Sequence, residues 1–96
     1  MAFLLSPKPE GVTYMLITFP YAVSINGSEA QTYSQGAPGT VAPGDVVTWG
    51  SGIPNRYAYA ASADADPIKT GAATSPYTVE AVAGATLLAL YGTGLS

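Results

Sequence analysis

Glycine and proline punctuate the whole chain, and this spacing restricts its fold more than any other feature. The 96 residues include 11 Gly and 8 Pro. Between them lie short runs rich in Val, Tyr, Thr and Leu, which is typical of β-strands separated by turns. No run combines apolar residues at helical spacing with helix caps. The sequence therefore predicts an all-β fold, a small antiparallel β-sandwich or barrel, with an extended N-terminal arm.

The last apolar stretch predicts a β-hairpin. Residues 77–82 and 85–91 favour strands and flank Ala83-Gly84. With a two-residue loop, Val79 faces Leu88 on one side of the hairpin. The opposite side is too apolar for a solvent face, because an exposed strand should alternate apolar and polar residues. That opposite side carries Thr78, Glu80, Val82, Leu87, Ala89 and Tyr91. We expect another chain to cover it, or the loop 63–76 to fold over it within one chain.

The first residues have a different character from the rest. Residues 1–11 contain Pro7, Pro9 and Gly11, which favour an extended arm over a helix. The arm has an apolar tip, Phe3-Leu4-Leu5. Two interpretations stay open, since the tip can fold back onto the domain's own sheet or dock on a neighbouring subunit. Residues 12–96 are predicted to form a single β domain.

The runs before the last hairpin give further strands. Residues 12–19 are apolar on both sides, which predicts a central strand ended by Pro20. Asn26-Gly27 predicts a hairpin at a solvated edge, with Ala30 opposite Val23. Residues 68–70 are predicted to form a short edge strand.

Aromatic side chains are expected in the core. Residues 46–49 form a predicted strand with Trp49 as a core anchor. Residues 56–62 alternate, with Tyr57 and Tyr59 on one face. The chain has 7 Tyr in all. Ordinary sheet packing explains most of them, and a sugar-stacking platform or an interface belt is the functional alternative.

Residues 41–49, Val-Ala-Pro-Gly-Asp-Val-Val-Thr-Trp, resemble the turn and strand that precede the copper ligands of cupredoxins. The resemblance covers nine residues and implies a β-sandwich. Copper binding in that family needs His and Cys ligands, and this chain has 0 of each. The resemblance therefore supports the fold and argues against copper.

The composition excludes most catalytic chemistry. The absence of His removes the most usual general base, and the absence of Cys removes thiolate nucleophiles and Cys-based zinc sites. Asp64-Ala65-Asp66 looks like part of a cation site, but Ser75 stands where a calcium loop needs its closing Glu. Neither Gly50-Ser51-Gly52 nor Gly92-Thr93-Gly94 has a phosphate-loop context. We expect no enzyme activity, no catalytic residues, no cofactor and no metal.

Charge also limits the partners. Charged residues are 9% of the chain, against roughly a quarter in an ordinary soluble domain. The only basic residues are Lys8, Arg56 and Lys69, and the net charge is -3. We therefore expect neither nucleic acid nor acidic membranes to be partners of this chain.

The chain resembles small virion structural proteins of tailed phages in its low charge, its richness in Ala, Gly, Thr, Ser and Pro, its lack of Cys and His, and its predicted N-terminal arm. Capsid decoration or cement proteins are the nearest type. The resemblance implies a non-catalytic decoration, cement or minor head subunit, made in the host cytoplasm and located in the virion. Such a subunit self-associates and binds a major capsid protein or another virion protein. The predicted interface consists of Phe3, Leu4, Leu5, Val82, Leu87, Ala89 and Tyr91. A carbohydrate-binding β-sandwich and a tail or fibre subunit are the alternatives.

Overall fold

The computed structural model describes residues 12–50 and 52–92, which form nine strands and no helix. The predicted arm, residues 1–11, lies outside the described residues. The strands are β1 Tyr14–Ile17, β2 Ala22–Ile25, β3 Gln31–Thr32, β4 Gly39–Val41, β5 Val46–Thr48, β6 Arg56–Ala60, β7 Pro67–Ala72, β8 Tyr77–Thr78 and β9 Leu87–Tyr91.

Two sheets make up the domain. The five-stranded sheet has the order β4-β1-β9-β6-β7, and the four-stranded sheet has the order β3-β2-β5-β8. All pairings are antiparallel except that between β1 and β9, which is parallel. The predicted all-β, sandwich-like fold is confirmed.

The core lies where the inward-facing residues of the two sheets meet. Its largest fully buried side chains include Tyr59, Leu16 and Leu88. Three further tyrosines, at positions 14, 57 and 77, are also buried there. Trp49 is only partly buried and packs against this cluster from its margin, so its prediction as the core anchor was wrong. Tyrosines fill the centre of the core because they occupy inward-facing positions on strands of both sheets.

The predicted central strand exists as β1, which lies between β4 and β9. Tyr14 and Leu16 face the core. Met15, between them, is 45% exposed, and Phe19 just beyond the strand is 64% exposed. The second apolar face of this run is therefore left open by the described part of the chain.

The predicted hairpin of residues 77–91 was wrong. Strand β8 pairs with β5 in the four-stranded sheet, while β9 pairs with β1 and β6 in the other sheet. The turn itself forms, with Gly84 at φ 86° and the Ala85 N–H bonded to the Val82 carbonyl. Residues 79–86 therefore form a connector between the two sheets. Strands β8 and β9 both bury apolar side chains in the shared core, but they do so from different sheets.

The Asn26-Gly27 turn joins β2 to β3 at the edge of the four-stranded sheet, as predicted. Both turn residues have positive φ, 51° and 80°, and the Ser28 N–H donates to the Ile25 carbonyl. The register differs by one residue from the prediction, because Val23 pairs with Gln31. An extra residue therefore lies in the return strand after the turn.

Two further predictions agree with the structure. Gly44 in the Pro43-Gly44 turn has φ 96°, and the Asp45 carboxylate accepts a hydrogen bond from the Ala42 N–H across that turn. The predicted edge strand at 68–70 is present and longer, as β7.

Candidate interaction surface

The outer side of the five-stranded sheet is the most unusual surface of the domain. Residues paired across a sheet share a face, so the register separates the buried side from the outer side. Met15 pairs with Leu87, and Ala58 pairs with Ala89. We call this side the outer apolar face. It comprises Thr40, Met15, Ile17, Leu87, Ala89, Tyr91, Arg56, Ala58, Ala60, Thr70 and Ala72.

The outer apolar face carries one charged side chain, that of Arg56. Its other members are aliphatic, aromatic or Thr. The outer side of the four-stranded sheet is more polar, since Ser24 pairs with Thr48 and Val46 pairs with Thr78. In a strand with one exposed side, polar residues that face solvent normally alternate with apolar residues that face the core. The two outer sides of this sandwich are therefore suited to different surroundings.

The predicted interface residues fall on two different surfaces. Leu87, Ala89 and Tyr91 lie on the outer apolar face, although Leu87 is only 5% exposed. Val82 lies in the connector and packs against the core. Phe3, Leu4 and Leu5 are outside the described residues. The interface itself stays a prediction. On the outer apolar face, the predicted residues Ala89 and Tyr91 are partly exposed, as is their neighbour Ala58, and Met15 is exposed.

Sequence reasoning assigned Leu87, Ala89 and Tyr91 to an outward side but missed their neighbours. Met15 and Ile17 join that side through the parallel pairing of β1 with β9, and Ala58 joins it through β6. The sequence feature that could have revealed Met15 and Ile17 is that residues 12–19 are apolar on both sides of the strand. The loop 63–76 does not lie across the face as a whole, because its residues 67–72 form β7 beside β6 in the same sheet.

The open edge at β7 is poorly suited to pairing with another chain. The strand begins with Pro67, which lacks a donor, and its register with β6 shifts between Tyr59 and Ala60. Lys69 pairs with Tyr59 and so projects toward the inner side, where its Nζ bonds Glu80. Proline, a bulge and an inward-directed charge all discourage edge-to-edge association. Faces are therefore better placed than this edge to make contacts.

Under the five-stranded sheet, the buried tyrosine rings contact one another. The rings of Tyr14 and Tyr59 lie 5.7 Å apart edge to face, as do those of Tyr57 and Tyr59 at 5.5 Å. Tyr57 and Tyr77 lie 5.4 Å apart with tilted rings. These separations fall in the range where aromatic pairs attract each other.

The tyrosine hydroxyls hold the connector in place. Tyr59 bonds the Tyr77 hydroxyl and accepts the Glu80 N–H at 2.9 Å. The Tyr14 hydroxyl accepts the Val82 N–H at 2.8 Å and donates to the Val82 carbonyl at 3.3 Å. Burial raises the pKa of both Tyr59 and Tyr77 above the usual value, and the bond to Tyr59 raises that of Tyr77 further. Both hydroxyls therefore remain protonated at neutral pH and serve as fixed structural partners.

A shallow groove lies where this connector passes the start of β1. It is lined by Val12, Tyr14 and residues 81–83, and its volume is about 250 Å³. The lining is largely apolar. Small-molecule sites usually occupy about 300–1,000 Å³ and add several convergent polar groups. The groove is thus better matched to an apolar side chain than to a cofactor or substrate.

The described residues contain neither a cluster suited to a metal ion nor a membrane-spanning helix. Within residues 12–50 and 52–92, no three His, Cys, Asp or Glu side chains group in a way that could hold a metal ion. Asp64 and Asp66 are exposed in the segment between β6 and β7. A helix long and apolar enough to cross a bilayer is absent from the part of the chain that the structure describes.

Comparison with known proteins gave no match. No family model matches the chain, and no curated protein and no solved structure matches it significantly.

Proposed function

We propose that this protein is a non-catalytic structural subunit of a virion, of the capsid decoration or cement type, which binds a capsid lattice through the outer apolar face. The observation that carries the proposal is the composition of that face. Arg56 is its one charged residue, and Met15, on the strand next to the central one, is 45% exposed. Apolar patches of this kind mark contact sites with other macromolecules.

The size of the face favours a repeated lattice over a single tight partner. Five strands about 4.8 Å apart, each roughly 16 Å long, give a face of roughly 400 Å². A stable pairwise interface needs about 800 Å² from each partner. One such contact is weak by itself, and self-association on a lattice multiplies its strength through avidity. This matches a subunit that coats a regular surface as an oligomer.

A carbohydrate-binding module is less well supported. Stacking on sugars needs exposed aromatic rings grouped on one face, whereas Tyr14, Tyr57, Tyr59 and Tyr77 are buried in the core. A tail or fibre subunit would use the same outer apolar face and differs only in the structure to which it binds.

The test starts from the genome and ends in a binding assay. Capsid or portal genes beside this gene would supply the partner, and empty particles of that capsid can be mixed with the purified protein. We expect the wild type to sediment with the particles and Met15→Lys to lose binding, because a charge would be buried without a partner. Thr78→Lys is the matched control, since Thr78 is an exposed strand residue on the outer side of the other sheet. The proposal fails if the wild type stays in the supernatant, or if Met15→Lys binds as well as Thr78→Lys.

A further inference from the structure

The groove beside β1, lined by Val12, Tyr14 and residues 81–83, is preformed. Two hydrogen bonds between the Tyr14 hydroxyl and the Val82 backbone fix its two sides relative to each other. Val12 and Val82 are both partly buried and pack on the core, while Ala81 and Ala83 are exposed. A preformed apolar site gains affinity because little ordering is needed on binding.

Val12 is both part of this groove and the first residue that the structure describes. Residues 1–11 come directly before Val12 in the sequence. Their sequence includes Lys8-Pro9-Glu10-Gly11, with Pro at the second and Gly at the fourth position, as type I turns prefer. This pattern favours a reversal of the chain direction shortly before Val12.

We propose that the apolar tip Phe3-Leu4-Leu5 occupies the groove formed by Val12, Tyr14 and residues 81–83 of the same chain. The distance permits it, since the seven steps from Leu5 to Val12 span at most about 25 Å. The tether favours the same chain over a second copy, because a short linker gives an effective concentration in the millimolar range. The groove's volume of about 250 Å³ suits aliphatic or aromatic side chains.

The absence of cysteine allows a direct distance measurement. In Ala2→Cys the introduced thiol is the only one, so a nitroxide spin label attaches at a single place. We expect the label to remove most of the intensity of the Val12, Val82 and Ala83 methyl signals in dilute NMR samples. Ala22 and Val46, on the outer side of the four-stranded sheet, serve as reference methyls. Reduction of the nitroxide should restore every affected signal.

A second variant and a mixing experiment decide between occupants. Adding Leu4→Asp and Leu5→Asp to Ala2→Cys should restore the groove signals, because charged side chains are not stable in an apolar groove. These substitutions lie outside the β domain, so folding is checked simply by unchanged reference signals. For the mixing experiment, isotope-labelled protein without a spin label is combined with spin-labelled protein of natural abundance. Broadening in this mixture would assign the tip to a second copy and overturn the proposal.

The proposal is also overturned if the spin label leaves the groove signals intact, or if it broadens Met15 and Ala89 on the outer apolar face instead. It does not rest on the proposed function. A chain that never binds a capsid would still give the groove signal, and a capsid-binding chain could lack it.

Discussion

At the scale of single residues, side-chain hydroxyl groups supply polar contacts between distant segments, which ion pairs often supply in more highly charged domains. The tyrosine hydroxyls at positions 14 and 59 reach backbone groups of the connector from the core. Thr18, fully buried, donates to the Tyr21 carbonyl and accepts the Tyr33 N–H. All buried side-chain nitrogen and oxygen atoms among the described residues have a hydrogen-bond partner. A weakly charged chain can therefore hold irregular connections without leaving polar groups unsatisfied.

The Tyr59 hydroxyl gives the sharpest residue-level prediction. Tyr59→Phe keeps the ring but leaves the Glu80 N–H and the Tyr77 hydroxyl without this partner. We expect the free energy of unfolding to fall by about 1–3 kcal/mol, the usual effect of leaving buried polar groups unpaired. Urea titration measures the change. Tyr91→Phe is the control, because Tyr91 is only half-buried and should change stability by less than about 0.5 kcal/mol. Equal effects of the two substitutions would contradict the structural role of the Tyr59 hydroxyl.

At the scale of strands and turns, the sequence predicted local features better than pairing. Asn26-Gly27 and Pro43-Gly44 formed turns because positive φ and a fixed proline φ act within a few residues. The partners of β8 and β9 could not be predicted in the same way. Both flank a good turn, but each buries its apolar side chains against a different sheet, and burial between sheets outweighs a local hairpin.

The same limit applies to the candidate interaction surface. Leu87, Ala89 and Tyr91 were recognised from alternation along one strand. Met15 and Ala58 join them only because β1 and β6 flank β9, which is a fact of topology. The burial of Leu87 could not be predicted from the sequence either. Leu87 lies on the outer side of the sheet, yet its side chain is buried and only 5% exposed.

The edge strand β7 offers an element-level prediction at Gly71. A Cβ atom there would lie 2.7 Å from the Tyr57 hydroxyl oxygen and 2.8 Å from the adjoining ring carbon. Tyr57 is buried and packed against two other rings, so it cannot move away easily. Gly71→Ala should lower the free energy of unfolding by about 1–3 kcal/mol, as overpacking usually does.

Gly36→Ala is the matched control for Gly71→Ala. Nothing lies within 4 Å of a Cβ built at Gly36. Its stability should stay the same or rise slightly, because alanine restricts the unfolded chain. Thermal unfolding of both variants makes the comparison, and an unaffected Gly71→Ala would show that Tyr57 has more freedom than its packing implies.

At the scale of the whole molecule, the chain repeatedly crosses between the two sheets. Only β2–β3 and β6–β7 are hairpins between consecutive strands, while β1 finds its partner β9 near the other end of the described residues. Such non-local pairing is typical of slowly folding domains, because bringing distant segments together costs loop-closure entropy. It also makes the two ends of the domain mutually dependent.

The last strand should therefore be essential for the whole fold. Strand β9 lies in the middle of the five-stranded sheet, between β1 and β6, and supplies the fully buried Leu88 and Leu90. Removing residues 87–96 deletes two core leucines, each typically contributing about 2–5 kcal/mol, from a domain whose total stability is of the order of 5–15 kcal/mol. It also leaves the facing backbone groups of β1 and β6 unpaired.

We expect the chain truncated after Thr86 to be unfolded, with a collapsed range of amide chemical shifts in its NMR spectrum. A chain lacking only residues 93–96 keeps all of β9 and should retain the dispersed spectrum of the full protein. Adding a synthetic peptide of residues 86–92 to the truncated chain should restore dispersion, because the peptide supplies the strand that both neighbours need. A truncated chain that stays folded without the peptide would contradict the central position of β9, and the parallel pairing of β1 with β9 would then have to be revised.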